Sequence, residues 1–249
     1  MLKELESYPT FAKAMVDRPT EFMKQELESY HDSRPIRSFG RIKSRKLSDH
    51  KKSLLKSCLP LYEIENVSEI KAQKIVLEIG FGFGDFLFEK AKNNPDKIFI
   101  GSEPHLNGIV NLLAKLEENP LPNLKITRQD ARLFLNAAPK NFFDEVFILF
   151  PDPWPKSRHV KRRLINVRFL DEILSPKIKS AGDLTIATDH DGYKTWILSQ
   201  ILISKKISWL ANSRKDWQIF PADWVTTKYQ KKAAEEGRTS VIFKLKNHE

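Results

Sequence analysis

The segment Glu78-Ile79-Gly80-Phe81-Gly82-Phe83-Gly84-Asp85 constrains the chain more than any other. It follows the short apolar run Ile75-Val76-Leu77-Glu78-Ile79, which reads as a buried strand. It precedes Phe86 to Ala91, which reads as a helix stopped near Asn94-Pro95. Glycines between a strand and a helix let the chain turn tightly and let a ligand approach the backbone. A nicotinamide fingerprint, G-x-G-x-x-G, fails because Asp85 stands where its third glycine belongs, and no G-x-x-x-x-G-K-[ST] phosphate loop occurs. What remains is E-x-G-x-G-x-G.

The alternation continues downstream. Ile98 to Gly101 and Leu124 to Thr127 read as strands, with a helix between them from His105 to Leu116 whose Leu106, Ile109, Val110, Leu113 and Leu116 share one face. Asp130 is placed to cap a short helix from Ala131 to Asn136. Glu145 to Phe150 and Leu184 to Ala187 read as further strands and Asp191 to Ile203 as a helix. Ile207 to Leu210 and Ser240 to Leu245 would close the sheet. Strands alternating with helices predict an α/β fold, a doubly wound, mostly parallel sheet of seven strands with helices on both faces. We assign residues 61–249 to this domain and residues 1–60 to a basic, partly mobile N-terminal arm.

The arm's charge is uneven. From Arg34 to Lys56 it carries Arg34, Arg37, Arg41, Lys43, Arg45, Lys46, Lys51, Lys52 and Lys56 against Asp49 alone, with Pro35 and Gly40 breaking any long helix. Lys24 to Tyr30 has the pattern of a short helix. A charge run is often only a solvated face, but Phe39 among the arginines favours nucleic acid, since aromatic rings stack on bases. The whole chain has 249 residues and a formal charge of +10, which suits a polyanionic partner, nucleic acid before acidic membrane. Its 41% apolar content is enough for one core. Cys58 is the single cysteine, so no internal disulfide forms, and no apolar run reaches membrane-spanning length. The acidic start Met1-Leu2-Lys3-Glu4-Leu5-Glu6 lacks a secretory core, and a cytoplasmic protein is expected. The six histidines and Cys58 have no metal-ligand spacing, so no metal is expected.

The E-x-G-x-G-x-G pattern resembles the first motif of class I S-adenosylmethionine-dependent methyltransferases. Three acids agree with that resemblance: Glu78 beside Gly80, Gly82 and Gly84, Glu103 after the second strand, and Asp130 after the third. Each stands at the carboxyl end of a strand, where open α/β sheets bind ligands. Glu103 would accept from ribose hydroxyls, Asp130 from an adenine amine, and Glu78 would lie near the ligand's cationic methionine end. The alternative makes Glu103 and Asp130 ordinary loop acids or helix caps, but three strand-end acids in order favour a cofactor site.

The least ordinary stretch is Phe150-Pro151-Asp152-Pro153-Trp154-Pro155-Lys156, followed by Arg158, His159, Val160, Lys161, Arg162 and Arg163 with no acid among them. Three prolines fix the backbone, and a basic strip beside a cleft suits phosphate contacts. FPDPWPKSRHVKRRLIN resembles the hallmark of the bacterial tRNA (guanine-N(7)-)-methyltransferase family. Arg37-Ser38-Phe39-Gly40-Arg41, Ala187-Thr188-Asp189-His190-Asp191-Gly192-Tyr193, and Thr227-Lys228-Tyr229-Gln230 with Gly237-Arg238 are similar to three further motifs of that family.

The resemblance implies S-adenosylmethionine as cofactor, bound by Glu78, Gly80, Gly82, Gly84, Glu103, Asp130 and Asp152, with Asp152 also at the catalytic centre. It implies tRNA as partner, with Lys156, Asp189 and Thr227 to Gln230 facing the substrate guanine, and Arg158 to Arg163 touching RNA. It implies a variable-loop guanine as target, in a monomer or homodimer without an obligate protein partner. Gln230 stands where the family usually has Glu, and Pro104 follows Glu103 where a β-branched residue is common. Two rivals stay open at this stage. One is a methyltransferase for an exocyclic amine, which product nucleosides would separate. The other is a non-catalytic RNA-binding module, which would have no need of the glycine loop and its acids.

Overall fold

A computed structural model describes residues 47–249. The expectations for Lys24 to Tyr30, for Phe39 and for the Arg37 to Arg41 motif lie outside these residues. The chain enters through helices α1 (Asp49–Ser57) and α2 (Leu59–Tyr62). Ser48 caps α1 by accepting from the Lys51 N–H, and Leu54 on its inner face is fully buried against the sheet's helices. Residues 49–60 pack with the domain because Leu54, Cys58, Leu59 and Tyr62 give the basic segment an apolar side.

Next come β1 (Ile75–Ile79), α3 (Asp85–Asn93), β2 (Ile98–Ser102), α4 (Leu106–Glu118), β3 (Leu124–Thr127), α5 (Ala131–Ala137) and β4 (Phe143–Leu149). A 3-10 segment, Ser157–Arg162, and a π-helical turn, Phe169–Leu174, lead to β5 (Ile178–Thr188). The chain ends in α6 (Asp191–Ile203), β6 (Ile207–Trp209), α7 (Lys215–Gln218), α8 (Lys228–Glu235) and β7 (Val241–Asn247). The seven strands form one sheet in the order β3-β2-β1-β4-β5-β7-β6. β7 runs antiparallel to both its neighbours; the other pairings are parallel.

The central position of β1 explains why its sequence is apolar at every residue but Glu78. All five residues of β1 are buried, because helices cover both faces of a parallel sheet. Ile75, Leu77 and Ile79 point to one face and pack with Phe134 and Leu135 of α5 and Ile197 of α6. Val76 points to the other, with Leu87 of α3 and Ile109, Leu112 and Leu113 of α4. Glu78 shares the face of Val76 by the period of two, so a carboxylate lies in that layer at the carboxyl end of β1. The strand order reverses between β1 and β4, which puts the switch point of the sheet beside Glu78.

Candidate active site

Five connections converge at this switch point: those following β1, β2, β3, β4 and β5. The first is the glycine loop. Gly82 has φ +54°, a left-handed conformation that side chains rarely adopt, and a β-carbon on Gly108 of α4 would stand 2.3 Å from the Gly82 carbonyl oxygen. Loop and helix thus touch backbone to backbone. Gly108 was not among the expected site residues. A glycine in the middle of an otherwise good helical pattern was the available signal.

Glu103 holds the loop in place. Its carboxylate accepts from the Gly82 N–H at 2.9 Å and from the His105 N–H at 2.7 Å. Burial raises its pKa most, the two N–H donors oppose that, and the charge of Asp152 adds to it. Each oxygen keeps a second acceptor site, so a ribose hydroxyl remains compatible. Glu78 is 3% exposed, and its Oε2 has no hydrogen-bond partner in the structure. Burial first, then the charges of Glu103 and Asp85, push its pKa up to about 8. An orphaned buried carboxylate oxygen beside the glycine loop fits a cationic ligand group.

Asp130 is the N-cap residue of α5. It caps α5 through the Arg132 N–H and forms an ion pair with the Arg132 guanidinium, Nη2 to Oδ2 at 2.9 Å. Asp152 is exposed at the mouth, between Pro151 and Pro153. Burial most of all, and the Asp152 charge in addition, raise the pKa of Glu103, Tyr193 and Tyr229. Phe150 and Trp154 flank it with φ of 53° and 42°. Bulky residues in that region cost about 1–3 kcal/mol each and persist only where surroundings enforce them. Here the Phe150 N–H is tied to the Ala187 carbonyl at 2.8 Å, and Arg163 donates to the Pro153 carbonyl at 2.9 Å.

The basic strip divides. Lys156, Arg158 and Lys161 are exposed. His159 packs edge-on to Trp154 at 5.6 Å, with the Arg162 guanidinium 4.9 Å from the same ring. Its pKa is lowered, by desolvation and by the cations of Arg162, Arg158 and Lys156. Val160 is 4% exposed and belongs to the core. Arg163 turns inward, lying 5.0 Å from the Trp196 ring and 5.4 Å from that of Tyr193. The side chains of Val160 and Arg163, both in the segment expected to touch RNA, are thus engaged within the fold. Hydrophobic packing and the two carbonyls of the proline loop claim them instead.

The segment expected to meet substrate sits over the glycine loop. Thr227 is buried and caps α8 by accepting from the Gln230 N–H at 3.1 Å. Lys228 Nζ lies 4.4 Å from the Phe83 ring centre. Tyr229 rests against Gly82, and Gln230 Oε1 accepts from Trp224 Nε1 at 2.8 Å. Asp189 is bonded to Arg238 Nε at 2.8 Å, a partner not foreseen in a role of its own. Among the described residues no cluster of His, Cys, Asp and Glu is placed to hold a metal, and no helix is long and apolar enough to cross a membrane.

A sheet of this order with one antiparallel strand, a glycine loop after its first strand and acids at successive strand ends define a class I methyltransferase fold. A family model described as "Putative methyltransferase" matches residues 72–243. The tRNA (guanine-N(7)-)-methyltransferase of Zymomonas mobilis is 34% identical over 226 residues, 88% of this chain and 97% of that one. Its counterpart in Hyphomonas neptunium is 40% identical over 205 residues, 79% and 93% of the two chains, and that of Caulobacter vibrioides 38% over 206 residues, 80% and 89%. The chain belongs to the tRNA (guanine-N(7)-)-methyltransferase family.

Proposed function

We propose that this chain transfers the methyl group of S-adenosylmethionine to N7 of a guanine in tRNA, acting in the cytoplasm. The observation that carries the cofactor is the unpartnered, buried Glu78 oxygen beside the glycine loop; family membership carries the substrate. Glu78 would hold the cationic end of the cofactor, the backbone of Gly80 to Gly84 its middle, and Glu103 the ribose. S-adenosylmethionine, when bound, supplies a methyl carbon made electrophilic by its sulfonium.

Guanine N7 carries an in-plane lone pair and no proton, so its attack needs no general base. The chain's task is alignment, exclusion of water and tolerance of the positive charge that the ring acquires. Asp152, fixed between prolines at the mouth, is suited to orienting the base and offsetting that charge. Asp189, held by Arg238, can accept from guanine N1–H and the exocyclic amine. Methyl transfer from labelled cofactor to transcribed tRNA, followed by nucleoside mapping, tests the reading. N7-methylguanosine supports it, and an N-methylated amine in its place would move the chain to the exocyclic-amine reaction.

The exposed part of the strip would bind tRNA phosphates. The double change Arg158→Ala with Lys161→Ala is expected to make the slope of log affinity against log salt shallower by about 1.4–1.8, at roughly 0.7–0.9 per lost phosphate contact. Arg163→Ala is expected instead to leave the slope unchanged and to lower the melting temperature, since it removes the hydrogen bonds to the Pro153 and Trp154 carbonyls and two ring contacts inside the fold. Titrations at several salt concentrations read both. Parallel lines for the double variant would take the strip out of the RNA footprint.

A further inference from the structure

The pocket at the glycine loop is closed by α8 as well as by the sheet. Three contacts latch the start of that helix to the loop and to the first turn of α3. A β-carbon on Gly82 would stand 3.3 Å from Tyr229 Cε2, and Lys228 Nζ lies over the Phe83 ring. Gln230 holds Trp224, whose ring is 5.1 Å from that of Phe86. Gln230 is thus a positioning residue for the helix start, its side-chain oxygen engaged with Trp224. The Tyr229 ring lies against Gly82, whose N–H is bonded to the Glu103 carboxylate, so the ring covers the loop beside that acid; burial and the carboxylates of Glu103 and Asp152 raise the pKa of its phenol.

The size of the pocket bears on this. The cavity that Tyr229 lines together with Glu78, Gly80, Phe81, Phe83 and Asp85 measures ≈ 20 Å³, about the space of one water. The methionine end of a cofactor beside Glu78 needs far more. Tyr229 is 50% exposed, so its ring has solvent to swing into, whereas Glu78, Phe81 and Phe86 are locked in the interior.

We propose that Tyr229 is a cofactor-binding residue, the movable wall of the pocket, which shifts from Gly82 to admit S-adenosylmethionine and then lies against its nucleoside beside Glu103. This assignment rests on the methyl-transfer reading and departs from a purely substrate-facing role for the Thr227 to Gln230 segment. A half-exposed aromatic ring that covers a ligand's nucleoside adds contact area without ordering a long side chain. It also makes α8 a structural link between the cofactor and the Asp189–Arg238 pair at the helix's far end.

The test uses the full chain without RNA. S-adenosylmethionine and S-adenosylhomocysteine are titrated by calorimetry into the unaltered protein, Tyr229→Ala and Tyr229→Phe. Tyr229→Ala is expected to weaken both ligands by roughly tenfold, a change of about one factor of ten in Kd, while Tyr229→Phe, which keeps the ring, restores most of the affinity. The melting temperature of both ligand-free variants should match the unaltered chain, because Tyr229 is not part of the core. Unchanged ligand affinity in Tyr229→Ala would overturn the assignment, and tighter binding would overturn it too, by making the ring an obstruction only. Failure of the unaltered chain to bind either ligand would bring down the methyl-transfer reading itself, a result distinct from both.

Discussion

Asp152→Ala is expected to lower kcat by about 10²–10³-fold, the usual effect of losing one preorganised electrostatic group, while tRNA affinity changes little. Asp152 is exposed in the proline loop that follows β4, and its charge acts on Glu103, Tyr193 and Tyr229. Its contribution grows as the guanine ring becomes positive, so it belongs to the transition state more than to the bound ground state. A loss confined to kcat, with KM held, is the signature of that difference. Asp152→Asn separates its two roles, since the amide keeps the shape and one acceptor but not the charge. Single-turnover methyl transfer and filter binding on the same preparations decide the matter. Near-normal turnover in Asp152→Ala would remove this residue from catalysis.

Glu78→Gln is expected to trade function for stability. The folded-state pKa of about 8 lies above the ordinary 4.5, so between those values the native state binds more protons than the unfolded chain. Stability of the ligand-free protein then falls as pH rises from about 4.5 to 8 and levels off above. At roughly 1.4 kcal/mol for each tenfold change in proton affinity, the penalty has an upper bound of about 5 kcal/mol. Glutamine removes it. The variant should melt several degrees higher than the unaltered chain at pH 8.5 and at nearly the same temperature at pH 4.5, where Glu78 is protonated. It should also bind S-adenosylmethionine about 10–100-fold more weakly, for want of a charged acceptor. In the unaltered protein, cofactor binding should release a proton near pH 7, measurable by calorimetry in buffers of different ionisation heat. Equal melting temperatures at pH 8.5 would mean that Glu78 carries its charge without penalty.

The sheet was legible because its strands are buried on both faces. An apolar run such as Ile75 to Ile79 has one reading only, and α6 matches its expected bounds of Asp191 to Ile203. Where burial is partial the sequence was silent. β5 begins at Ile178, six residues before the expected Leu184, because its first half is a polar stretch with a register shift against β4 at Phe143 and Glu145. The π-helical turn and α8 went unseen for related reasons: both are short, and α8 is polar on most of its surface. At the site, residue types were readable and pairings were not. Spacing placed Asp189, Arg163 and Gln230 in functional segments. That Asp189 meets Arg238, that Arg163 faces inward and that Gln230 holds Trp224 are contacts across 49, 10 and 6 residues respectively, which no local pattern encodes.

Arg163 has a wider consequence. Its guanidinium is bonded to the carbonyls of Pro153 and Trp154 and lies over Trp196 and Tyr193 of α6. Tyr193 is fully buried, and its hydroxyl accepts from the Ile165 N–H at 3.4 Å while Trp196 Nε1 donates to the Ile165 carbonyl at 2.6 Å. The loop that carries Asp152 is therefore fastened to the interior rather than draped across it. Segments of this kind open with the globule and not ahead of it. Backbone amides that anchor the proline loop, such as that of Phe150, should exchange with deuterium on the timescale of the central strands, and heat should extinguish catalysis and folded structure in a single transition.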